Sequence, residues 1–336
     1  MRTRHHDLVV IGTGSGNSVL TPELAHLDIA VVESGRFGGT CLNVGCIPTK
    51  MYVYPADLVV EARRATALGV RFADPEVSWD AIRDRVFGRI DPIAAEGESH
   101  RRTQERVTVY GGHARFVGER RLAVDLAGGS SVTIEGERVV IAAGGHAVGL
   151  DLDGLRGADP ERGVHTSDTV MRMRSLPGRM AVIGGGFVAA EFAHVFDAFG
   201  VAVTHLHRGA RLLKAEDEEV AQRYTEIVGR RYDLRLGSRI VSAQRRDDGV
   251  WALTVAGPSR TCMLEVDAVL LAVGRRSNAP ALDVAAGGVA QHPDGRVVVD
   301  GLQRTSVPGV YALGDVSSDY ELKHVANHEA RVVAHN

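Results

Sequence analysis

Short apolar runs that end in glycine recur along this chain, and two of them open the same pattern. Leu8-Val9-Val10-Ile11 leads into Gly12-Thr13-Gly14-Ser15-Gly16-Asn17, and Ile29-Ala30-Val31-Val32 follows, closed by Glu33. Met180-Ala181-Val182-Ile183 leads into Gly184-Gly185-Gly186-Phe187-Val188-Ala189. A helical stretch through Phe199 and the run Val201-Ala202-Val203-Thr204-His205-Leu206 follow it. Continuous apolar runs bounded by glycine predict strands buried on both faces, as in a parallel sheet. Each segment thus reads as strand, glycine turn, helix, strand, the front half of a mononucleotide-binding fold. Two copies predict two nucleotide sites.

Between the copies, Tyr54 to Glu105 carries apolar residues at helical spacing, with Asp74-Pro75 as an interrupting turn. A meander is predicted next, with short strands near Val107–Tyr110, Ala114–Val117, Arg121–Asp125 and Ser131–Glu135. The strand Arg138–Ala142 then runs into Gly144-Gly145, and its counterpart Ala268–Val273 runs into Gly274. Two short strands, Arg296–Asp300 and Gly309–Ala312, and a final helix from about Tyr320 complete the pattern. The predicted boundaries fall near Leu150 and Gly274, and the last sixty or so residues return to the first domain. Residues 1–149 and 275–336 are therefore expected to form one domain, with 150–274 inserted as the other.

At 336 residues the chain has room for two such domains. A net charge of -3, with no interleaving of arginine and aromatic residues, argues against a nucleic-acid partner. No apolar run reaches membrane-spanning length, and Met1 to Asp7 lacks the apolar centre of a secretory leader. A cytoplasmic protein is the expectation. The three cysteines are too few for a disulfide scaffold, and no metal site is expected.

Candidate chemistry concentrates at the first nucleotide unit. Gly12 permits a tight turn, Gly14 lets backbone amides approach a pyrophosphate, and the following helix is expected to offer its positive end. The third fingerprint position is Asn17, directly after Gly16. Glu33, 21 residues after Gly12, stands where an acid accepts a hydrogen bond from a ribose hydroxyl. Close by, Cys41 and Cys46 lie with four residues between them in Gly38-Gly39-Thr40-Cys41-Leu42-Asn43-Val44-Gly45-Cys46-Ile47-Pro48-Thr49-Lys50. Two thiols beside a nucleotide cofactor can carry two electrons as a disulfide; two buried small hydrophobes is the competing reading.

These segments, with Ala312-Leu313-Gly314-Asp315, resemble the flavoprotein disulfide reductases, the family of glutathione reductase, dihydrolipoyl dehydrogenase, mercuric reductase and mycothione reductase. The likeness spans nearly the whole chain. Three segments look most like mycothione reductases: Gly12 to Ser18, Ile47 to Met51 and Leu322 to Val333. The resemblance implies two Rossmann-like domains of three-layer ββα form, with FAD at the first site and a nicotinamide nucleotide at the second. It places Gly12, Gly14, Gly16, Glu33, Thr40, Gly144 and Asp315 at the FAD, Glu33 on the adenosine ribose and Asp315 on the ribityl chain. Lys50 falls near flavin N5, paired with Glu191, since a cation there stabilises the hydride-accepting ring. The helix from about Leu322 aims its first amides at the flavin N1 and O2 edge. Gly184, Gly186 and Gly274 fall to the nicotinamide nucleotide. Electrons are expected to pass from NADPH to FAD, then to a Cys41–Cys46 disulfide, then to a small-molecule disulfide. Cys41 is the exchanging thiol and Cys46 the flavin-side thiolate.

Cofactor choice follows from the end of the second unit's second strand. His207 stands where an NADH site keeps an acid, followed by Arg208, Arg211 and Lys214. Cations without an acid suit the 2′-phosphate of NADPH, with Arg208 and Lys214 the expected ligands. The likeness also exposes departures. Relatives pair as homodimers through a C-terminal interface domain that supplies a His-Glu acid, and that domain is expected to be missing after Asn336. His292-Pro293 reads as a hairpin turn, and His113, His324 and His328 carry no assignable acid–base role. Ala143-Gly144-Gly145-His146 replaces the usual Ala-Thr-Gly loop, and Cys262 reads as structural. The alternatives are a dihydrolipoyl dehydrogenase-like enzyme, or a truncated flavin-binding or diaphorase protein without disulfide turnover.

Overall fold

A computed structural model describes residues 3–336; Met1 and Arg2, the start of the segment read as lacking a leader, lie outside them. The chain divides into two compact units, each with its own sheet. Of the described residues, the first comprises 3–43, 89–146 and 276–336, and the second 44–88 and 147–275.

In the first unit, β1 (Arg4–Ile11), β2 (Ile29–Glu33), β3 (Val107–Gly118), β4 (Arg121–Leu126) and β5 (Ser131–Ile141) form one sheet with the strand Val310–Ala312. β2 lies parallel between β1 and the start of β3, and β1 lies parallel to β5, which also carries Val310–Ala312. Alternate residues of β1 enter different cores. Val9 and Ile11 pack with Ala30, Val32, Val139 and Ile141, while Leu8 and Val10 pack with Ile29, Val31 and Val140. That two-sided burial is why the run is apolar throughout. Each such side chain removed from water contributes roughly 1.5–3 kcal/mol.

The meander differs from the expectation in one respect. Four short strands and their neighbour become three longer ones, because glycines bend the chain without ending it. β3 pairs with β2 as far as Gly111 and with β4 from Gly112. A Cβ on Gly112 would lie 2.3 Å from the Asp125 carbonyl oxygen, so the change of partner requires glycine. Gly136 does the same in β5, where a Cβ would meet the Arg138 carbonyl oxygen at 2.6 Å and a Val9 methyl at 2.9 Å.

Two further elements depart from the pattern. The helix expected after Gly14 is replaced by two 3-10 turns, Ser15–Val19 and Pro22–Leu24. Pro22 lacks an amide hydrogen and cannot continue a helix begun before it, so the short connection to β2 coils tightly instead. Arg296–Asp300 forms no strand; only an isolated bridge joins Gln291 to Val297. The segment's amides go to scattered partners in place of one ladder: Arg296 to the Asp294 side chain at 3.1 Å, Val297 to the Val316 carbonyl at 2.9 Å and Val298 to the Ala290 carbonyl at 3.0 Å, while Asp300 closes the next turn by accepting from the Leu302 and Arg304 amides. His292-Pro293 does lie in a turn, closed by Gly295 N–H donating to the His292 carbonyl at 2.9 Å.

The second unit holds a five-stranded parallel sheet in the order Asp233–Arg235, Ala202–Leu206, Arg179–Ile183, Ala268–Leu271, Val164–Thr166. The helix Phe187–Ala198 connects its central strands and buries Ala189, Phe192, Ala193 and Phe196. On another side, the antiparallel strands Arg239–Arg245, Trp251–Ala256 and Thr261–Val266 alternate, so that Trp251, Leu253 and Val255 join Ala181, Ile183, Val269 and Leu271 in one core.

Val44–Gly88 packs within this second unit, whereas the sequence placed it with residues 1–149. Tyr52 Oη donates to the Met171 carbonyl at 2.6 Å and Trp79 Nε1 to the Met173 carbonyl at 2.8 Å. The Trp79 ring lies against Tyr52, Phe196 and Phe199. These aromatic contacts, distant in sequence, decide the division.

Two buried histidines support the second sheet. His205, 0% exposed, donates from Nε2 to the Gly184 carbonyl at 2.8 Å. Burial lowers its pKa to about 4, and that of His165 likewise to about 4. In the unfolded chain both take protons near pH 6.5, so between pH 6.5 and 4 the unfolded state binds more protons and stability is lost as the pH is lowered. Each histidine contributes about 2 kcal/mol to this loss between pH 7 and pH 5. Replacing His205 with Asn is expected to reduce the difference in urea midpoint between pH 7 and pH 5; an unchanged difference contradicts the assignment.

Candidate functional site

Both glycine turns are built in the same way. Gly12, at φ +100°, has the Ala142 carbonyl oxygen 2.3 Å from where a Cβ would sit. Gly184, at φ +145°, has the Ala272 carbonyl oxygen 2.1 Å from that point. In each unit the end of a neighbouring strand fills the space that any other residue would need.

In the first unit, Glu33 closes β2 and turns its carboxylate back towards the glycine turn. Oε2 accepts from the Thr13 amide at 2.9 Å and the Thr13 hydroxyl at 2.7 Å, and Oε1 accepts from the Gly35 amide at 2.8 Å. Gly14 lies against Gly39, where an added Cβ would come within 2.6 Å of the Gly14 Cα. Gly16 sits 2.5 Å, measured from its missing Cβ, from the Ala142 side chain. The close turn-to-strand packing thus rests on Gly16, while Asn17 takes the fingerprint's third place. Asn17 Oδ1 instead accepts from Arg101 Nε at 2.8 Å.

Gly144 is at φ +66° with open space beside it, and Asn278 holds its loop: Nδ2 donates to the Ala143 carbonyl at 2.8 Å, and Oδ1 meets His146 Nδ1 at 2.7 Å. Asp315 is half-buried in the turn Gly314–Val316. The helix predicted from Leu322 runs from Lys323 to His335, and Lys323 Nζ donates to Ser15 Oγ at 3.3 Å. The positive helix end expected at Gly14 is lost with that helix, which leaves the turn amides to meet a pyrophosphate.

Thr40 and Cys41 are half-buried in the short helix Gly39–Asn43. Cys46, exposed, is the first residue of the helix Cys46–Ala65. It thus stands at the N-terminus of a 20-residue helix. Lys50 lies four residues on, along the same helix face, and pairs with Glu191 on Phe187–Ala198. The sequence pairing of Lys50 with Glu191 is thus met in the second unit. Cys262 is half-buried and accepts from Arg235 Nη1 at 3.4 Å.

At the second turn Gly186 caps the helix Phe187–Ala198, with open space beside it and beside Gly274. Arg208 and Lys214 are exposed, whereas Arg211 is held by Glu218. The His207 ring covers the Gly185 backbone, 2.3 Å from where a Cβ would be. Burial, then the charges of Arg208 and Lys214, lowers its pKa below the ordinary value. Two residues to which the sequence reading gave no role therefore matter here: His205 beneath Gly184, and Glu329, which bonds the Gly314 amide at 2.7 Å. The sequence signal for His205 and Glu329 was a polar residue at an otherwise apolar position.

A profile of the pyridine nucleotide-disulphide oxidoreductases matches residues 6–330. The chain belongs to that family. It is 48% identical to mycothione reductase of Mycobacterium tuberculosis, over 98% of this chain and 70% of the relative. It is 33% identical to glutathione reductase of Burkholderia cepacia, over 99% of this chain and 72% of the relative. Among solved structures, the HOCl-induced flavoprotein disulfide reductase RclA of Escherichia coli matches with a TM-score of 0.82 and 26% identity, over 97% of this chain and 70% of that one. As a flavoprotein disulfide oxidoreductase, the chain uses FAD with a nicotinamide nucleotide.

The residues present fit both groups. The first unit offers glycine backbone in near contact at Gly14 and Gly39, space at Gly144, and the orphaned acceptor Asn43 Oδ1 in a residue 6% exposed. The second offers a glycine-capped helix end with room for an anion. Among the described residues, no helix is long and apolar enough to cross a membrane. Replacing Glu33 with Leu leaves the Thr13 amide, in a residue 1% exposed, without its acceptor. The expected loss of stability is about 1–3 kcal/mol in urea unfolding of the flavin-free protein, and an unchanged midpoint counts against this role.

Proposed function

We propose that this chain is an NADPH-dependent, FAD-containing reductase of a low-molecular-weight disulfide of the mycothione type, with Cys41 and Cys46 as its redox couple. The observation that carries the reading is Cys46 at the head of a long helix with Lys50 one turn further on. A helix N-terminus and a nearby cation are the surroundings in which reactive thiols are found. Glu191 holds the lysine in an ion pair. The 48% identity to mycothione reductase favours that substrate class over a dihydrolipoyl or glutathione disulfide.

FAD would supply the exchange between one hydride of the nicotinamide and the two electrons of a dithiol. The remaining chemistry belongs to the sulfurs. The Cys41 thiolate attacks one sulfur of the substrate disulfide, and the other sulfur leaves as a thiolate that takes a proton. Cys46 then attacks the Cys41 sulfur of the mixed disulfide, expels the second thiol and closes the Cys41–Cys46 bond. Two electrons have passed to the substrate and the cysteine pair is oxidised.

In this reading the first unit, with Gly12, Gly14, Gly16, Glu33, Thr40, Gly144 and Asp315, holds FAD. The second, with Gly184, Gly186, Gly274, Arg208 and Lys214, holds NADPH. Exposed cations and a covering His207, with no acid at this position, favour a 2′-phosphate over a free hydroxyl.

Thiol titration tests the cysteine pair directly. Anaerobic NADPH is expected to release two additional titratable thiols in the oxidised protein, and none in a Cys41→Ser variant. Equal counts with and without NADPH reject the redox couple and leave a flavin-binding protein without disulfide turnover. Kinetics of flavin reduction test the cofactor: NADPH is expected to bind at least tenfold tighter than NADH, and Arg208→Leu to remove most of that difference. A preference for NADH overturns the assignment.

A further inference from the structure

The helix Lys323–His335 turns Ala326, Glu329, Ala330 and Val333 inwards. Three of these suit an apolar stripe. Glu329 does not, yet it is only 8% exposed. A carboxyl group in such a place costs free energy unless its oxygens are met. One of them is met by the Gly314 amide, which donates to Oε2 at 2.7 Å.

That amide opens the turn Gly314–Val316. Gly314 is at φ +73°, a conformation glycine adopts readily and other residues rarely. Its carbonyl accepts from the Ser317 and Ser318 amides, both at 2.8 Å, and Leu313 before it donates to the Ile141 carbonyl at 3.0 Å. The Ala326 methyl lies 3.3 Å from where a Gly314 Cβ would sit, so helix and turn touch one residue-turn away from the Glu329 bond. Asp315 follows directly. With the acceptor gone, the most permissive residue of the turn keeps its carbonyl bonds but loses the restraint on its amide. The Leu313–Gly314 peptide, which carries that amide, then loses its side-chain restraint, and the chain entering Asp315 can pivot at Gly314.

We propose that Glu329 is a positioning residue of the flavin site: its carboxyl oxygen fixes the Gly314 amide, and through that peptide the direction in which Asp315 is presented. The inference rests on the reading of Asp315 as a flavin-site residue. It assigns to the last helix a task separate from aiming its first amides. The bond needs an acceptor, not a charge, so an amide side chain of the same length replaces it and a thioether of similar length does not.

The full chain, stripped of flavin and titrated with FAD, tests this with Glu329→Gln, Glu329→Met and Asp315→Ala, alongside hydrogen exchange of the Gly314 amide without flavin. Glu329→Met is expected to exchange faster at Gly314 and to bind FAD at least about tenfold more weakly, while Glu329→Gln stays within about threefold of the parent on both. Glu329→Met that exchanges faster but binds FAD as the parent does overturns the positioning role and leaves the family reading intact. Equal losses in Glu329→Gln and Glu329→Met overturn it as well, since an acceptor alone then fails to rescue. Asp315→Ala that binds FAD as tightly as the parent overturns the reading on which the inference rests, and the inference with it.

Discussion

A carbonyl oxygen lying where a side chain would begin is the constraint on which both nucleotide turns depend. In the first unit it is Ala142 against Gly12, and in the second Ala272 against Gly184. Each carbonyl ends a strand that lies beside the strand feeding the turn, and the strands are parallel. Parallel pairing brings the two strand ends to the same edge of the sheet, so the turn and its neighbour must share space there. Only glycine lets the chain leave the first strand without colliding with the second. The repeated feature in the sequence is thus a consequence of packing at one sheet edge, and the space it leaves open is where phosphates can approach backbone amides.

Around these turns, buried or half-buried polar side chains keep the backbone in place. Glu33 takes the Thr13 amide and hydroxyl, His205 donates to the Gly184 carbonyl, and Glu329 accepts from the Gly314 amide. Each bond joins a side chain on regular structure to a turn that contains glycine. Such turns gain reach towards a ligand from glycine and lose definition by it. A side chain fixed on a strand or helix restores the definition, at the cost of a polar group placed among apolar ones. The cysteine helix follows a related rule: Cys46 stands at its N-terminus, and Lys50, one turn on, is held by Glu191 on another helix.

Much of this was legible in the residues. Continuous apolar runs identified the parallel strands because both faces of those strands are buried, as the two cores that divide β1 show. The glycine turns, Glu33, the cysteine motif and the Lys50–Glu191 pair carry spacings that few alternatives share. The failures have physical causes. Gly111-Gly112 and Gly136 read as strand breaks, but there they allow a strand to bend and change partners. Pro22 replaced the expected helix with 3-10 turns. Arg296–Asp300 has a strand-like pattern, yet its amides are divided among carbonyls of different segments, Val316, Ala290 and Arg304, so no single ladder forms.

The chain's order of residues determined the two glycine-turn units, the buried strands and the placement of Cys46 and Lys50 on one helix, because each depends on spacing over a few residues. Tertiary structure alone decided which unit holds Val44–Gly88, through Tyr52 and Trp79 meeting the backbone near Met171 and Met173. It also decided that His207 covers Gly185 and that Glu329 holds Gly314. These contacts join residues far apart or on different elements, and no local periodicity encodes where a long side chain will find its partner.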